Sequence, residues 1–245
     1  MRSLTAEEIV AQVDHCFTDR EIDATKVQRL QIMFMSMGEP MLNYKQLERA
    51  IIILNGKYPQ AALLISTSAP DVDYMPLMNL AASIGKIGLQ FSVHESTDAR
   101  RNALIPFKAK LNLEQIVQRG MLFYLYTGRQ PFFNYCANTD NSSDADADRL
   151  LHLFNPKVWQ ATVSVVCEST ESVAASNDRQ KKLATDFMDK LLARGFSVRC
   201  FDPAGQDDIG GGCGQLWFVQ EWMREHPELA KKSVGFGISK VHAPC

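Results

Sequence analysis

Two stretches of this 245-residue chain carry side chains suited to chemistry. The first is Met37-Gly38-Glu39-Pro40, at the end of the compact apolar run Gln31 to Met37. Glycine lets a ligand approach the backbone, and proline sets the turn. Glu39 adds a carboxylate, and a carboxylate beside free carbonyls suits an ammonium group. The same residues also make an ordinary strand-to-helix turn, so the string alone does not separate the two readings. The second stretch is Gly205-Gln206-Asp207-Asp208-Ile209-Gly210-Gly211-Gly212-Cys213-Gly214-Gln215. Its glycines free the backbone to present the Cys213 thiol to a bulky substrate, and reactive cysteines are partly exposed. A surface turn with an incidental cysteine has the same composition. His94 stands at the end of another apolar run, placed either for a ligand or as a satisfied half-buried histidine.

Other reactive types do not cluster. His15, His152, His226 and His242 show no metal-ligand spacing. The cysteines at 16, 136, 167, 200, 213 and 245 form no CxxC pair, so they read as free thiols. Trp217, Phe218 and Trp222 read as core packing rather than a base-stacking platform. Arg100-Arg101 and Lys231-Lys232 read as solvated surface pairs.

The elements that position these residues alternate. Thr5 and Glu8 form a capping-box signature before Ile9, Val13, Cys16 and Phe17 at helical spacing. After the run ending at Met37, Asn43 is placed to cap a helix with Leu47, Ala50, Ile51 and Leu54 on one face and Gly56 as its stop. Ala61 to Ile65 is a strand closed by Ser66-Thr67-Ser68. Met75 to Ile84 is a helix ended by Gly85, and Ile87 to Val93 is a strand. Then follow a helix from Leu111 to Tyr126, a strand from Pro131 to Ala137 and a helix from Asp144 to Phe154. A strand from Gln160 to Val166, a helix from Asp178 to Arg194 and a strand from Phe196 to Phe201 complete the pattern. Thr139 to Asp148 reads as a solvated loop and helix start rather than a site. Strands separated by helices predict parallel pairing and an α/β fold. Gly38-Glu39, Ser66, Ser92, His94 and Cys167-Glu168 then all fall at carboxyl ends of strands, where parallel sheets place their sites. The expectation is one domain over residues 1–245 with one mouth.

Composition sets the class. Hydrophobic residues make up 46% and charged residues 22%, which excludes a disordered or fibrous chain. With 26 basic and 28 acidic residues the net charge is −2, a poor general nucleic-acid clamp that leaves room for a local basic patch. No apolar run reaches the ~18 residues of a membrane span. Met1-Arg2-Ser3-Leu4-Thr5-Ala6-Glu7-Glu8 has no apolar core like that of a signal peptide. The expectation is a cytoplasmic protein without membrane contact.

Read in order, several strings resemble one family. They are Arg2-Ser3-Leu4-Thr5-Ala6-Glu7-Glu8-Ile9, Phe34 through Tyr44, Ser66-Thr67-Ser68, and Ser92-Val93-His94 with Arg100 through Pro106. The last runs from Asp207-Asp208-Ile209 to Cys213-Gly214-Gln215-Leu216. Together they resemble the radical-SAM adenosine RNA methyltransferases of the RlmN/Cfr type. The resemblance implies a partial (β/α) barrel with parallel strands, its first strand missing, and a Cys-bearing loop and C-terminal helix at about 202–245. It implies S-adenosylmethionine as cofactor, with Gly38 and Glu39 at the methionyl part and Ser66, Ser92, Val93 and His94 along the rest. Glu168 stands where the family has an asparagine on the cofactor. Cys213 would be the cysteine that carries a methyl group to an adenine ring carbon. That carbon is not nucleophilic, so a radical on the carrier methyl adds where a polar transfer fails. The implied partner is rRNA or tRNA, not DNA.

The family also binds a 4Fe-4S cluster through CxxxCxxC, upstream of the string that matches Arg2-Ser3-Leu4-Thr5. This sequence contains no such motif. Two expectations follow. In one, Met1 is an internal start and the enzyme is longer. In the other, the chain is a clusterless homologue that binds S-adenosylmethionine, or a protein or RNA partner, without radical catalysis.

Overall fold

The computed structural model describes residues 2–35, 38–165 and 173–202, together with residue 225. Six strands alternate with helices along them. They are β1 (Gln31–Phe34), β2 (Ala62–Thr67), β3 (Ile87–Ser92), β4 (Phe132–Cys136), β5 (Gln160–Ser164) and β6 (Ser197–Phe201). The helices are α1 (Ala6–Asp19), α2 (Tyr44–Lys57), α3 (Met75–Ile84), α4 (Asp98–Leu104), α5 (Leu113–Thr127), α6 (Asp144–Leu153) and α7 (Val173–Ala193). The strands lie in one sheet in the order β1-β2-β3-β4-β5-β6. β1 pairs parallel with β2, and β2 with β3, setting Phe34 opposite Ile65 and Ser66 opposite Gln90. This is the α/β class expected, a parallel partial (β/α) barrel.

The described residues group into two compact units, one from 1–93, 98–133 and 153–160, the other from 94–97, 134–152 and 161 onward. In the first unit, β2 is buried from Leu63 to Thr67 and β3 from Ile87 to Phe91. Continuous burial is what a parallel strand shows when helices cover both faces. Leu47, Ala50, Ile51 and Leu54 of α2 form a buried apolar stripe, each at 2% exposure or less. An aromatic cluster fills the rest of that core. Trp159 meets Phe91 at 5.8 Å and Phe154 at 4.9 Å between ring centroids, and Phe154 meets Phe133 at 4.7 Å. Gly120 of α5 lies flat on the same indole. A Cβ there would sit 2.0 Å from the Trp159 ring, so only glycine permits this approach. In the second unit Tyr135 stacks on Phe187 at 4.9 Å, beside buried Leu150, Val163 and Leu191.

The local signals behave as the residues require, with three differences. Thr5 and Glu8 form both halves of a capping box at α1, and Asn112 and Gln115 do the same at α5. Gly85 and Gly128 close α3 and α5 in the left-handed conformation. Asn43 does not cap α2, because a 3₁₀ turn at Pro40–Asn43 precedes the helix and the Asn43 amide donates to the Leu4 carbonyl at 2.8 Å. α2 also runs through Gly56 to Lys57, where the Tyr58 N–H closes it on Leu54. α4 is a helix that hydrophobic periodicity did not disclose.

Candidate functional site

The first three strands each leave the sheet through a left-handed residue: Gly38 at φ +84°, Ala69 at +66° and His94 at +59°. For alanine and histidine that conformation is uncommon and costs roughly 1–3 kcal/mol. Such residues persist where the surroundings over-determine the backbone, and they concentrate at sites.

Gly38 is exposed, and no described atom lies within 4 Å of where a Cβ would be. Glu39 next to it caps the following 3₁₀ turn, and its carboxylate is fully engaged. Oε1 accepts from the Met41 N–H at 2.9 Å and the Thr67 hydroxyl at 2.6 Å. Oε2 accepts from the Ser68 N–H and the Ser68 hydroxyl, both at 2.7 Å. The end of β1 is thereby tied to the end of β2. Two of the four donors are hydroxyls that rotate, so an incoming ammonium can take their acceptor positions without moving the backbone. Close by, burial pushes the Tyr74 phenol upward, and the Glu39 charge adds to it.

Ser66 is buried at 9% exposure and accepts from the Gln90 side-chain amide at 3.2 Å, leaving its own proton to donate. Ser92 is half-buried at the end of β3. Val93 has no exposed surface, main chain included. The sequence strings at the ends of β1, β2 and β3 therefore converge in this unit. The ends of β2 and β3 are tied by Arg101 of α4, which has no exposed surface. Its Nη2 donates to the carbonyls of Ser68 at 2.8 Å and Ser92 at 3.1 Å, its Nε to Ser92 at 3.4 Å, and its Nη1 to Leu111 at 2.8 Å. Burial lowers this guanidinium from its ordinary value, and the Asp98 charge opposes the change. The expectation of a solvated Arg100-Arg101 pair is thus corrected for Arg101: three carbonyls from separate segments desolvate it.

In the second unit, His94 is pinned on both sides. Its N–H donates to the Asn134 carbonyl at 3.0 Å, and its carbonyl accepts from the Asn141 amide at 3.0 Å. Asn141 has no exposed surface, also donates to the Cys136 carbonyl at 3.0 Å, and accepts from Asn138 N–H at 2.7 Å. Two residues on, the Ser96 hydroxyl donates to Asp146 at 2.6 Å, and Arg149 reaches both Ser96 and Asp146. Burial works to raise the Asp146 carboxyl, but hydrogen bonds from Ser143, Ser96 and Arg149 outweigh it and bring it to about 2. The 139–148 stretch, read from sequence as a solvated loop and helix start, therefore contains two buried polar anchors. Composition pointed to solvent there; the carbonyls waiting at His94 and Cys136 explain the burial of Asn141, and Ser96 with Arg149 that of Asp146.

Cys213 and Glu168 lie outside the described residues. Among the described residues, no three His, Cys, Asp or Glu side chains come together as a metal site. Among them, too, no helix is long and apolar enough to cross a membrane.

No protein-family model matches the chain. Curated relatives do. A "Probable dual-specificity RNA methyltransferase RlmN" of Petrotoga mobilis is 27% identical over 226 residues, covering 88% of this chain and 60% of that protein. A like-named protein of a Thermotoga species is 30% identical over 223 residues, with 88% and 61% covered. A "Dual-specificity RNA methyltransferase RlmN" of Magnetococcus marinus is 26% identical over 226 residues, with 92% and 62% covered. Among solved structures, a radical SAM methyltransferase from Sphaerobacter thermophilus aligns with a TM-score of 0.61 and 26% identity, over 88% of this chain and 62% of that one. The chain spans about three fifths of the length of the curated relatives it matches.

Proposed function

We propose, from this likeness to RlmN-type radical-SAM RNA methyltransferases, that the chain binds S-adenosylmethionine and serves methyl transfer to adenosine in rRNA or tRNA. The cofactor's methionyl ammonium goes to Glu39 beside Gly38. Ser66, Ser92, Val93, His94 and Glu168 are assigned to the remainder. The carrying observation is the junction of Glu39 with Thr67 and Ser68, which brings the end of β1 to the end of β2. An acidic group with rotatable hydroxyl donors, next to an open left-handed glycine, suits a zwitterionic methionyl tail.

Cys213 is the proposed methyl carrier. Its thiolate attacks the sulfonium methyl, a carbon–sulfur bond forms as the old one breaks, and S-adenosylhomocysteine leaves. S-adenosylmethionine supplies the activated methyl for that displacement. The residues of this sequence do not fit an iron-sulfur cluster, since no CxxxCxxC occurs and the described residues hold no such donor group. No step here runs through one. A second reading is that the chain binds S-adenosylmethionine, or a protein or RNA partner, without radical catalysis. In either reading the protein works in the cytoplasm, away from membranes.

Calorimetric titration of the purified full chain with S-adenosylmethionine tests the pocket. We expect a saturable one-site isotherm and a raised melting temperature. Folded protein giving neither heat nor a shift removes the cofactor assignment. Mass spectrometry of Cys213 after expression then separates the readings: a methylated thiol supports the carrier, and an unmodified one supports binding alone.

A further inference from the structure

We infer that Arg101 is a positioning residue for the candidate cofactor site, locking the turns by which β2 and β3 deliver Ser66, Ser68 and Ser92. The inference rests on the cofactor reading above and deepens it. A charge removed from water is ordinarily paired with an opposite charge. Arg101 has no exposure, yet among the described residues it donates to no carboxylate. Its partners are main-chain carbonyls alone: Ser68 at the exit of β2, Ser92 at the exit of β3, and Leu111. These are the points where the strained turns begin. Ser68 precedes left-handed Ala69, whose own carbonyl is held by the Leu111 N–H at 2.8 Å. Residues 69–71 and 109–111 pair antiparallel around Pro70 and Lys110, so the Arg101 grip on Leu111 closes a second loop on the same turn.

The grip extends to the carboxylate. Ser68 gives its carbonyl to Arg101 and its N–H and hydroxyl to Glu39. A guanidinium is a planar fork that reaches three carbonyls at once, whereas a lysine ammonium is a point on a flexible stem. Arg101 therefore acts on the ligand through Ser68 and Ser92, without touching it.

The test compares the full chain with Arg101→Lys and Arg101→Gln. Hydrogen exchange is followed at residues 68, 69, 92 and 93, with α3 as internal control, alongside titration with S-adenosylmethionine. We expect faster exchange in both segments with α3 unchanged, and affinity weakened roughly tenfold, the worth of one hydrogen bond to a charged group. The lysine variant should fall between glutamine and wild type. Folded variants with unchanged exchange, or with unchanged affinity, overturn the proposal. Looser turns in a wild-type background that never binds S-adenosylmethionine keep the positioning of the turns and sink the cofactor reading instead. If neither variant folds, the wild-type guanidinium proton resonances decide. They should exchange slowly and shift when S-adenosylmethionine is added; resonances that do not move at saturation overturn the proposal.

Discussion

Glu39 arrives at its site with every lone pair occupied, by Met41, Thr67 and Ser68. A ligand ammonium must therefore compete with two hydroxyls whose bonds to the carboxylate are already charge-assisted, and its advantage is the attraction of its own full charge to the carboxylate. Glu39→Gln keeps the shape and removes that advantage. We expect S-adenosylmethionine affinity to fall by roughly tenfold or more, and the melting temperature to fall as well, because the new amide nitrogen meets a backbone N–H of Met41 or Ser68 that cannot turn away; calorimetry and thermal unfolding read the two effects. Unchanged affinity would show that the carboxylate only braces the turn. The Glu39 string was legible in the sequence because its parts are contiguous: an apolar run, a glycine, an acid and a proline. Arg101 and Asn141 were not, because what buries them is a set of carbonyls brought from 5 to 47 positions away, most of them on other elements.

At the level of elements, the helices with local punctuation stood out in the sequence. α3 matches its predicted limits, with Gly85 at its end and Pro76 inside its first turn. The capping boxes at α1 and α5 are equally local. α4 escaped because only Arg101 among its seven residues is buried, and a buried arginine carries no hydrophobic period. The packing of α5 on Trp159 gives a sharp expectation. In an exposed helix Gly→Ala would stabilise by about 1 kcal/mol. Here Gly120→Ala drives a methyl into a buried indole, so we expect a loss of about 1–3 kcal/mol in chemical denaturation. Adding Trp159→Leu should recover part of it; strictly additive losses would refute the contact.

For the whole molecule, Asp146 ties stability to acidity. Its folded pKa of about 2 lies below the ordinary carboxylate value, so the unfolded chain takes up its proton first. The stabilisation, about 2 kcal/mol, is complete near neutrality and drains away as pH falls from about 4 through 2. Glu8, brought to about 2 by Arg2 and the Thr5 N–H, changes in the same direction and cancels in a comparison of variants. Urea titrations should therefore show wild type well above Asp146→Asn at pH 7 and the gap narrowing toward pH 3. A gap that ignores pH would place the role of Asp146 in packing alone. Last, the sheet orders its strands just as the polypeptide does. During synthesis every strand after the first emerges to find one hydrogen-bonding neighbour already made, so at each stage the newest strand is the edge that the next one to be translated covers.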